Sequence, residues 1–242
     1  MKATVPAPYL GVWKRTLLRT SSGDDTTSTV YWLQTPRWHA DIRVPANRDI
    51  GGARSLEMLG DAAWRSLASQ QGFAGVTTVE NDICRWHRRV DYQPPSGFSD
   101  VGRIEFESPD RMLEYGVEQD YFEIWERQPS SVGSWAALES ANGTPPAWLF
   151  ATGDFAMRVR PRDCALSPAP SLGTLLDGLD SGERRACLDF EISLARRTSP
   201  ARWDIYHSTL PWKEGTALDE SSVLDSALGP SDRAPPGWKT LD

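Results

Sequence analysis

Short segments of alternating apolar and polar residues recur along most of this sequence, and each ends at a cluster of Gly, Pro, Asp or Ser. About a dozen of them are rich in β-branched and aromatic residues, the pattern of half-buried strands. Several are joined by connections of hairpin length, such as Gln119-Asp120 and Gly153-Asp154. Because parallel strands need long crossovers, these short connections predict a mainly β protein built as an antiparallel barrel or sandwich.

Two short helical inserts interrupt the strand pattern. Residues 55–70 have apolar side chains near helical spacing with a Gly just past the end, and residues 172–179 follow a Ser that can cap a helix. Residues 186–194 alternate apolar and polar side chains, which predicts a further half-buried strand.

The domain organisation follows from this pattern. A chain of 242 residues is long enough for one large β domain or for two fused barrels. We expect an antiparallel β-barrel domain over residues 1–215, or two fused barrel lobes with a boundary near residues 93–100. Beyond Gly215 the sequence is rich in Asp, Ser and Pro, which predicts an acidic surface tail over residues 216–242 with Trp238 as a docking residue.

The charge balance and the cysteines bear on partners and location. The chain has 33 acidic and 26 basic residues, which argues against nucleic acid as a partner, since that binding depends on clustered Lys and Arg. The sequence shows no signal-peptide pattern and no apolar stretch long enough to span a bilayer, so we expect a soluble, cytoplasmic protein without a membrane partner. Three widely spaced cysteines suit reduced thiols better than disulfides.

Eleven Trp residues are the unusual feature of the composition. Trp is common where a large apolar wall must also offer a hydrogen bond, and a ligand cavity is one such place. The sequence has no GxGxxG opening a helix, no P-loop, no GxSxG, no HExxH and no CxxC pair. We therefore expect a pocket for a small molecule, with no dedicated metal site and no cofactor, and the oligomeric state stays open.

An Arg-Trp-His motif occurs twice, at residues 37–39 and 85–87, each time on a predicted strand. Because side chains alternate between the two faces of a strand, one face of each carries the same polar residue types. These are Arg37, His39, Asp41 and Arg43 in the first strand, and Arg85, His87, Arg89 and Asp91 in the second. If both faces line one cavity, the Arg side chains can bind an acidic ligand, and the His residues, oriented by the Asp residues, can move protons as catalytic groups. If they face water, they form only weak cross-strand ion pairs.

A second candidate face lies on the predicted strand over residues 121–127. Its inward side chains would be Tyr121, Glu123, Trp125 and Arg127. A carboxylate between two aromatic residues is desolvated, which raises its pKa toward the range useful for acid–base catalysis. The alternative is that Glu123 pairs with Arg127 outside the barrel. Tyr31 is a weaker pocket candidate, because its strand has apolar residues on both faces.

The sequence Gly11-Val12-Trp13 resembles the G-x-W start of lipocalins and other calycin-type barrels. In that family the Trp closes the floor of the barrel under an Arg from a late strand, and the interior binds small apolar or amphipathic molecules. The resemblance therefore implies structural roles for Gly11 and Trp13, with Arg196 or Arg202 as the covering Arg. Because no export signal is seen, the version that fits is a lipocalin-like intracellular barrel.

Three functions fit these features. The first is binding of an apolar or aromatic molecule whose acidic group is anchored by an Arg of the two motif strands. The second is a cofactor-independent isomerase, cyclase or hydrolase in which His39 or His87 moves a proton while an Arg or Tyr121 stabilises developing negative charge. The third is a protein-interaction module with exposed Trp residues. The sequence favours the first, and whether the protein is an enzyme stays open.

Overall fold

The computed structural model describes residues 4–229 and 234–241, and in them the chain forms two antiparallel sheets. The first sheet has nine strands: β1 (Gly11–Thr20), β2 (Gly23–Asp25), β3 (Thr29–Gln34), β4 (Trp38–Val44), β5 (Gln71–Glu80), β6 (Ile83–Asp91), β7 (Asp100–Ser108), β8 (Arg111–Gly116) and β9 (Tyr121–Arg127). Their order is β2-β1-β3-β4-β5-β6-β7-β8-β9, and β9 also pairs with β1. Apart from the short β2, these strands close into an eight-stranded antiparallel barrel, which confirms the predicted fold class.

The second sheet is open and packs against the outside of the barrel. Over the described residues its strands are β10 (Trp135–Ser140), β11 (Trp148–Thr152), β12 (Phe155–Arg160), β13 (Glu191–Ser199), β14 (Arg202–Ser208) and β15 (Trp238–Thr240). The order is β14-β13-β12-β11-β10-β15. Ile42 and Ala74 on the outer face of the barrel share one buried apolar cluster with Phe150 and Ile192 of this sheet. The structure therefore has one closed barrel and an open sheet, and not two barrels.

Three helices pack into the apolar cluster between the barrel and the second sheet, and a fourth packs against β14 (Arg202–Ser208) at the edge of the second sheet. The described residues contain four α-helices: α1 (Asp61–Ala68), α2 (Leu172–Leu176), α3 (Ser181–Leu188) and α4 (Ser221–Ala227). The strand predicted over 186–194 is wrong in its first half, because a capping box of Asp180 and Glu183 starts a helix there and β13 begins only at Glu191. In the described part of the chain, no helix combines the length and apolar character needed to cross a membrane.

The predicted lobe boundary and the predicted C-terminal tail can be compared with the strand pairing of the structure. The lobe boundary expected near residues 93–100 falls inside the barrel, because β6 and β7 on either side of this loop pair with each other. The segment 216–242, of which 230–233 and 242 lie outside the described residues, contains α4 and β15. Strand β15 pairs with β10, and Trp238 packs against the apolar cluster on the outer face of the second sheet. The division of domains at residue 215 stays a prediction.

Candidate functional site

The interior of the barrel is filled at one end. Four Trp side chains occupy this closed half, each at most 7% exposed: Trp13, Trp32, Trp86 and Trp125. The ring of Trp32 meets two of the others edge-on, with centroids 5.4 Å from Trp86 and 6.2 Å from Trp125. These rings form a packed core and do not line an open pocket.

Trp13 lies at the floor of this closed half. Its Nε1 donates a hydrogen bond to the carbonyl oxygen of Tyr9 at 2.9 Å. Gly11 precedes it with a φ of +117°, a left-handed conformation that favours glycine, and a Cβ there would lie 2.9 Å from Ser131 Oγ. Both residues of the Gly-x-Trp motif therefore have structural positions.

The Arg that covers Trp13 is Arg127 of β9. Its guanidinium lies over the ring, 4.5 Å from the centroid, and donates to the carbonyl oxygen of Leu10 at 2.6 Å. This corrects two predictions: Arg127 closes the floor and does not reach the cavity, and the covering Arg comes from neither Arg196 nor Arg202. Those two residues belong to the second sheet.

A cavity of about 750 Å³ opens at the other end of the barrel. Its inner wall carries polar side chains that point into the barrel: Arg43, Arg88, Asp100, Glu114, Tyr121 and Glu123. The loop between β6 and β7 and the segment after β12 form the entrance, where Phe98 and Leu166 supply apolar surface. The cavity thus has a charged inner end and a partly apolar entrance.

Two buried carboxyl groups face each other on β8 and β9. Glu114 and Glu123 are direct partners in the strand register and are 4% and 3% exposed. Glu114 accepts hydrogen bonds from the hydroxyl of Tyr121 at 2.7 Å and from Nε1 of Trp125 at 3.0 Å. Gly102 leaves the space for this side chain, since a Cβ there would lie 2.8 Å from Glu114 Oε1. Burial, together with the charge of Glu123, raises the pKa of Glu114 well above its usual range.

Glu123 differs from Glu114 because it has a cation beside it. Nη1 of Arg15 donates to Glu123 Oε1 at 2.7 Å, and Nη2 of Arg15 donates to Asp25 at 3.2 Å. Burial raises the pKa of Glu123, while the charges of Arg43 and Arg15 oppose that rise. The two neighbouring carboxyl groups therefore have different environments, one with a guanidinium partner and one with neutral partners only.

Arg43 and Arg88 reach the cavity from β4 and β6. Arg43 donates twice to Asp41, at 2.7 and 3.3 Å. Arg88 donates to Asp91 at 2.7 Å and to Asp100 at 2.6 Å. Both guanidinium groups are thus already paired with carboxylates of the protein.

The polar face of the first Arg-Trp-His strand points into the barrel. His39 and Asp41 are buried below the cavity, Arg43 lines it, and the half-buried Arg37 does not. Nδ1 of His39 lies 2.9 Å from the hydroxyl of Thr77, and among the described residues its Nε2 has no partner. Burial lowers the pKa of His39 to about 3, so the imidazole is neutral near pH 7.

The second Arg-Trp-His strand has the opposite orientation. Arg85 and His87 are exposed on the outside of the barrel, whereas Cys84, Trp86 and Arg88 point inward. The two motif faces therefore do not share one cavity: the first faces the interior, and the second faces water, which is the other alternative that the sequence left open. Period-two alternation defines two faces of a strand but does not say which one is buried.

A β-bulge changes the alternation at the upper end of this strand. The register shifts between Ala74 and Gly75, which leaves Arg89 without a partner on β5. A Cβ at position 75 would lie 2.0 Å from a backbone oxygen of β6, so the bulge requires glycine. Beyond it Asp91 turns inward to Arg88, and Arg89 lies exposed at the rim of the cavity.

The remaining candidates divide between the cavity and the outer surface. Tyr121 and Glu123 line the cavity, with Trp125 buried below them, so this face of β9 points inward. Glu123 does not pair with Arg127 outside the barrel. Tyr31 lies on the outer face and stacks on His207, with centroids 5.5 Å apart.

Sequence reasoning missed Arg15, Arg88, Asp100 and Glu114. The sequence could have indicated Glu114, because β8 and β9 form a hairpin and counting residues back from its turn places Glu114 opposite Glu123. The sequence could not have indicated Arg88 and Asp100 as inward-facing, because their strands carry polar residues on both faces.

Together, the described residues form a closed eight-stranded antiparallel barrel with a cavity at its mouth and an open sheet packed against it. No family model and no curated protein matches the sequence. An uncharacterized protein of Saccharomyces cerevisiae, YLR301w, is structurally similar with a TM-score of 0.53 and 8% identity, over 96% of this chain and 98% of that one. A lipocalin-like protein from Bacteroides uniformis matches 50% of this chain and 100% of its own at 9% identity, with a TM-score of 0.33. The similarity to the yeast protein extends over both sheets and is one of fold alone.

Proposed function

We propose that the protein binds a small amphipathic molecule in the cavity at the open end of the barrel. The observation that carries this proposal is a cavity of about 750 Å³ with a charged inner end and a partly apolar entrance. Sites for small molecules commonly have volumes of roughly 300–1,000 Å³ and combine apolar walls with a few polar groups. A lipocalin-like barrel with such a mouth supports the same reading.

The packed closed half decides how a ligand would lie. Because Trp32, Trp86 and Trp125 fill the interior, an apolar tail has no room below the cavity. The polar group of the ligand would therefore meet the inner wall, and its apolar part would stay at the entrance beside Phe98 and Leu166. The proposed partner is a small molecule and the proposed location is the cytosol, which the three free cysteine thiols support.

Two finer readings of the site differ in chemistry. The sequence favours an acidic ligand group, for which Arg43 is the candidate anchor in the inner wall and Arg89 the candidate at the rim. An acid–base enzyme is the alternative, and one observation favours it: the Glu114 carboxyl faces the cavity and is held by Tyr121 in an environment that favours its protonated form. In that case Glu114, and not a histidine, is the candidate acid.

Binding of Nile red, a neutral fluorescent probe, tests the proposal. We expect saturable one-to-one binding with a blue shift, weakened about tenfold by Phe98→Ala, since burying a Phe ring contributes roughly 1.5–3 kcal/mol. Val132→Ala is the matched control, because Val132 is also an exposed apolar residue, at 56%, but lies away from the cavity. Equal weakening by both variants would indicate surface adsorption, and absence of saturable binding would contradict the proposal.

A further inference from the structure

Carboxyl groups outnumber guanidinium groups around the inner end of the cavity. Among the described residues, the guanidinium groups there belong to Arg15, Arg43 and Arg88, and the carboxyl groups to Asp25, Asp41, Asp91, Asp100, Glu114 and Glu123. Five of these six carboxyl groups share the three Arg side chains. The sixth, on Glu114, accepts hydrogen bonds from two uncharged donors only. With every group ionised, this network, in which Arg15, Asp25 and Asp41 lie behind the cavity wall, has three more carboxylates than guanidinium groups. Among all described residues that line the cavity, with Arg89, Arg162 and Glu118 included, five carboxyl groups stand against four guanidinium groups.

One carboxylate oxygen of this wall is left without a donor. Glu123 is 3% exposed and lines the cavity, and its Oε1 is taken by Arg15. No described residue donates to its Oε2. Because Glu123 lines the cavity, this oxygen is the acceptor that a ligand donor at the inner end can reach without displacing a protein donor.

Three of the four Arg side chains that line the cavity are poor partners for an acidic ligand, the exception being Arg89, which lies exposed at the rim. Arg43 and Arg88 are occupied by their carboxylates, and Arg162 at the entrance directs all three of its nitrogen atoms to backbone carbonyl oxygens. An anion at the inner end would have to compete with these partners. It would also lie beside Glu123, where like charges repel.

We infer that the ligand is an organic cation, an amphipathic amine whose ammonium group donates to Glu123 Oε2 and to Glu114 while its apolar part lies at the entrance. This inference rests on the proposed function and names its ligand class. An ammonium group has three donors and no acceptor, which complements a wall with spare acceptors and excess negative charge. A metal ion fits less well, because no three of the described His, Cys, Asp and Glu side chains are placed to hold one.

Binding of an amine should be coupled to release of a proton from the protein, whereas binding of an alcohol should not. Burial raises the pKa of Glu114 well above its usual range, which favours the protonated carboxyl when the cavity is empty. An ammonium group beside it stabilises the carboxylate, so binding releases a proton from Glu114. The affinity for an amine therefore rises with pH below the pKa of the amine itself, whereas the affinity for an alcohol of the same length does not.

Calorimetric titration with octylamine, octanol and octanoate compares a cation, a neutral molecule and an anion of the same chain length. At pH 7.5 we expect octylamine to bind at least tenfold more tightly than octanol, with octanoate weakest. Glu123→Gln should weaken octylamine about tenfold and leave octanol within about twofold, as expected for loss of one charge-assisted hydrogen bond. The matched control is Glu105→Gln, which removes the same charge from an exposed position on the outer face of β7 and should change neither affinity.

The outcomes distinguish this inference from the proposed function. If none of the three molecules binds, the proposed function is contradicted as well. If octanol or octanoate binds more tightly than octylamine, the cavity binds small molecules and the amine inference alone is wrong. Should Glu123→Gln fail to fold, Glu114→Gln replaces it. Titration of the wild-type protein in two buffers of different ionisation enthalpy measures proton release without any variant, and absence of release would overturn the inference.

Discussion

The closed and open halves of the barrel use the inward positions of the same eight strands in opposite ways. In the closed half, aromatic rings such as Trp13 and Trp32 pack with aliphatic side chains such as Met112 and fill the interior. In the open half, Arg43 and Glu123 are held by ion pairs at the wall, and a cavity remains between them. Four of the eleven Trp residues fill the packed floor and none of the eleven lines the cavity, whose wall is marked instead by buried charge.

Trp32→Ala tests the closed half and should have the largest effect. Trp32 is 1% exposed and packs between two other Trp rings, so its removal should lower the free energy of unfolding by about 3–5 kcal/mol. Urea unfolding followed by circular dichroism measures this change. A loss below about 1 kcal/mol would mean that the closed half is not a tightly packed core, and the contrast between the halves would fail.

Two substitutions in the repeated motif should lower the free energy of unfolding by less. They test whether the first motif strand faces inward and the second faces outward. His39→Ala removes a buried side chain hydrogen-bonded to Thr77 and should cost about 1–3 kcal/mol. His87→Ala changes an exposed residue and should cost less than about 0.5 kcal/mol. Equal losses in urea unfolding of the two variants would contradict the orientation of the two strands.

Glu114→Gln should change the free energy of unfolding only slightly at any one pH. Its main effect should be on how that free energy varies with pH. The pKa of Glu114 is raised above its unfolded value, so its contribution to stability is complete below that unfolded value and is lost as the pH rises through the folded value. We expect the unfolding free energy of the wild type to fall through this group as the pH rises above the ordinary glutamate value of 4.5. Glu114→Gln should remove that slope.

His39 also makes the free energy of unfolding depend on pH, but its contribution falls as the pH is lowered. Burial lowers its pKa to about 3, so its effect on stability is absent above its ordinary value of 6.5 and becomes destabilising as the pH falls below it. Because His39 is present in both proteins, the difference between the wild-type and Glu114→Gln slopes isolates Glu114. Identical slopes would mean that Glu114 is ionised in the folded protein.

The sequence predicts the barrel well because hairpin connections and alternation are local signals. The same signals place Glu123 and Tyr121 on one face of β9, and the structure turns that face inward. They could not place His87, because the direction of a face depends on what packs against it. They also could not pair Arg127 with Trp13, since those residues are far apart in sequence and meet only when the barrel closes.

The bulge at Gly75 has a consequence for how the selectivity of this barrel can change. Its missing side chain shifts the alternation of β6 by one residue, and that shift brings Asp91 to the cavity wall. A larger residue at position 75 would clash with the backbone of β6 and so disturb the segment that holds Asp91 at the wall. A residue that does not itself line the cavity can therefore determine which charged side chains do.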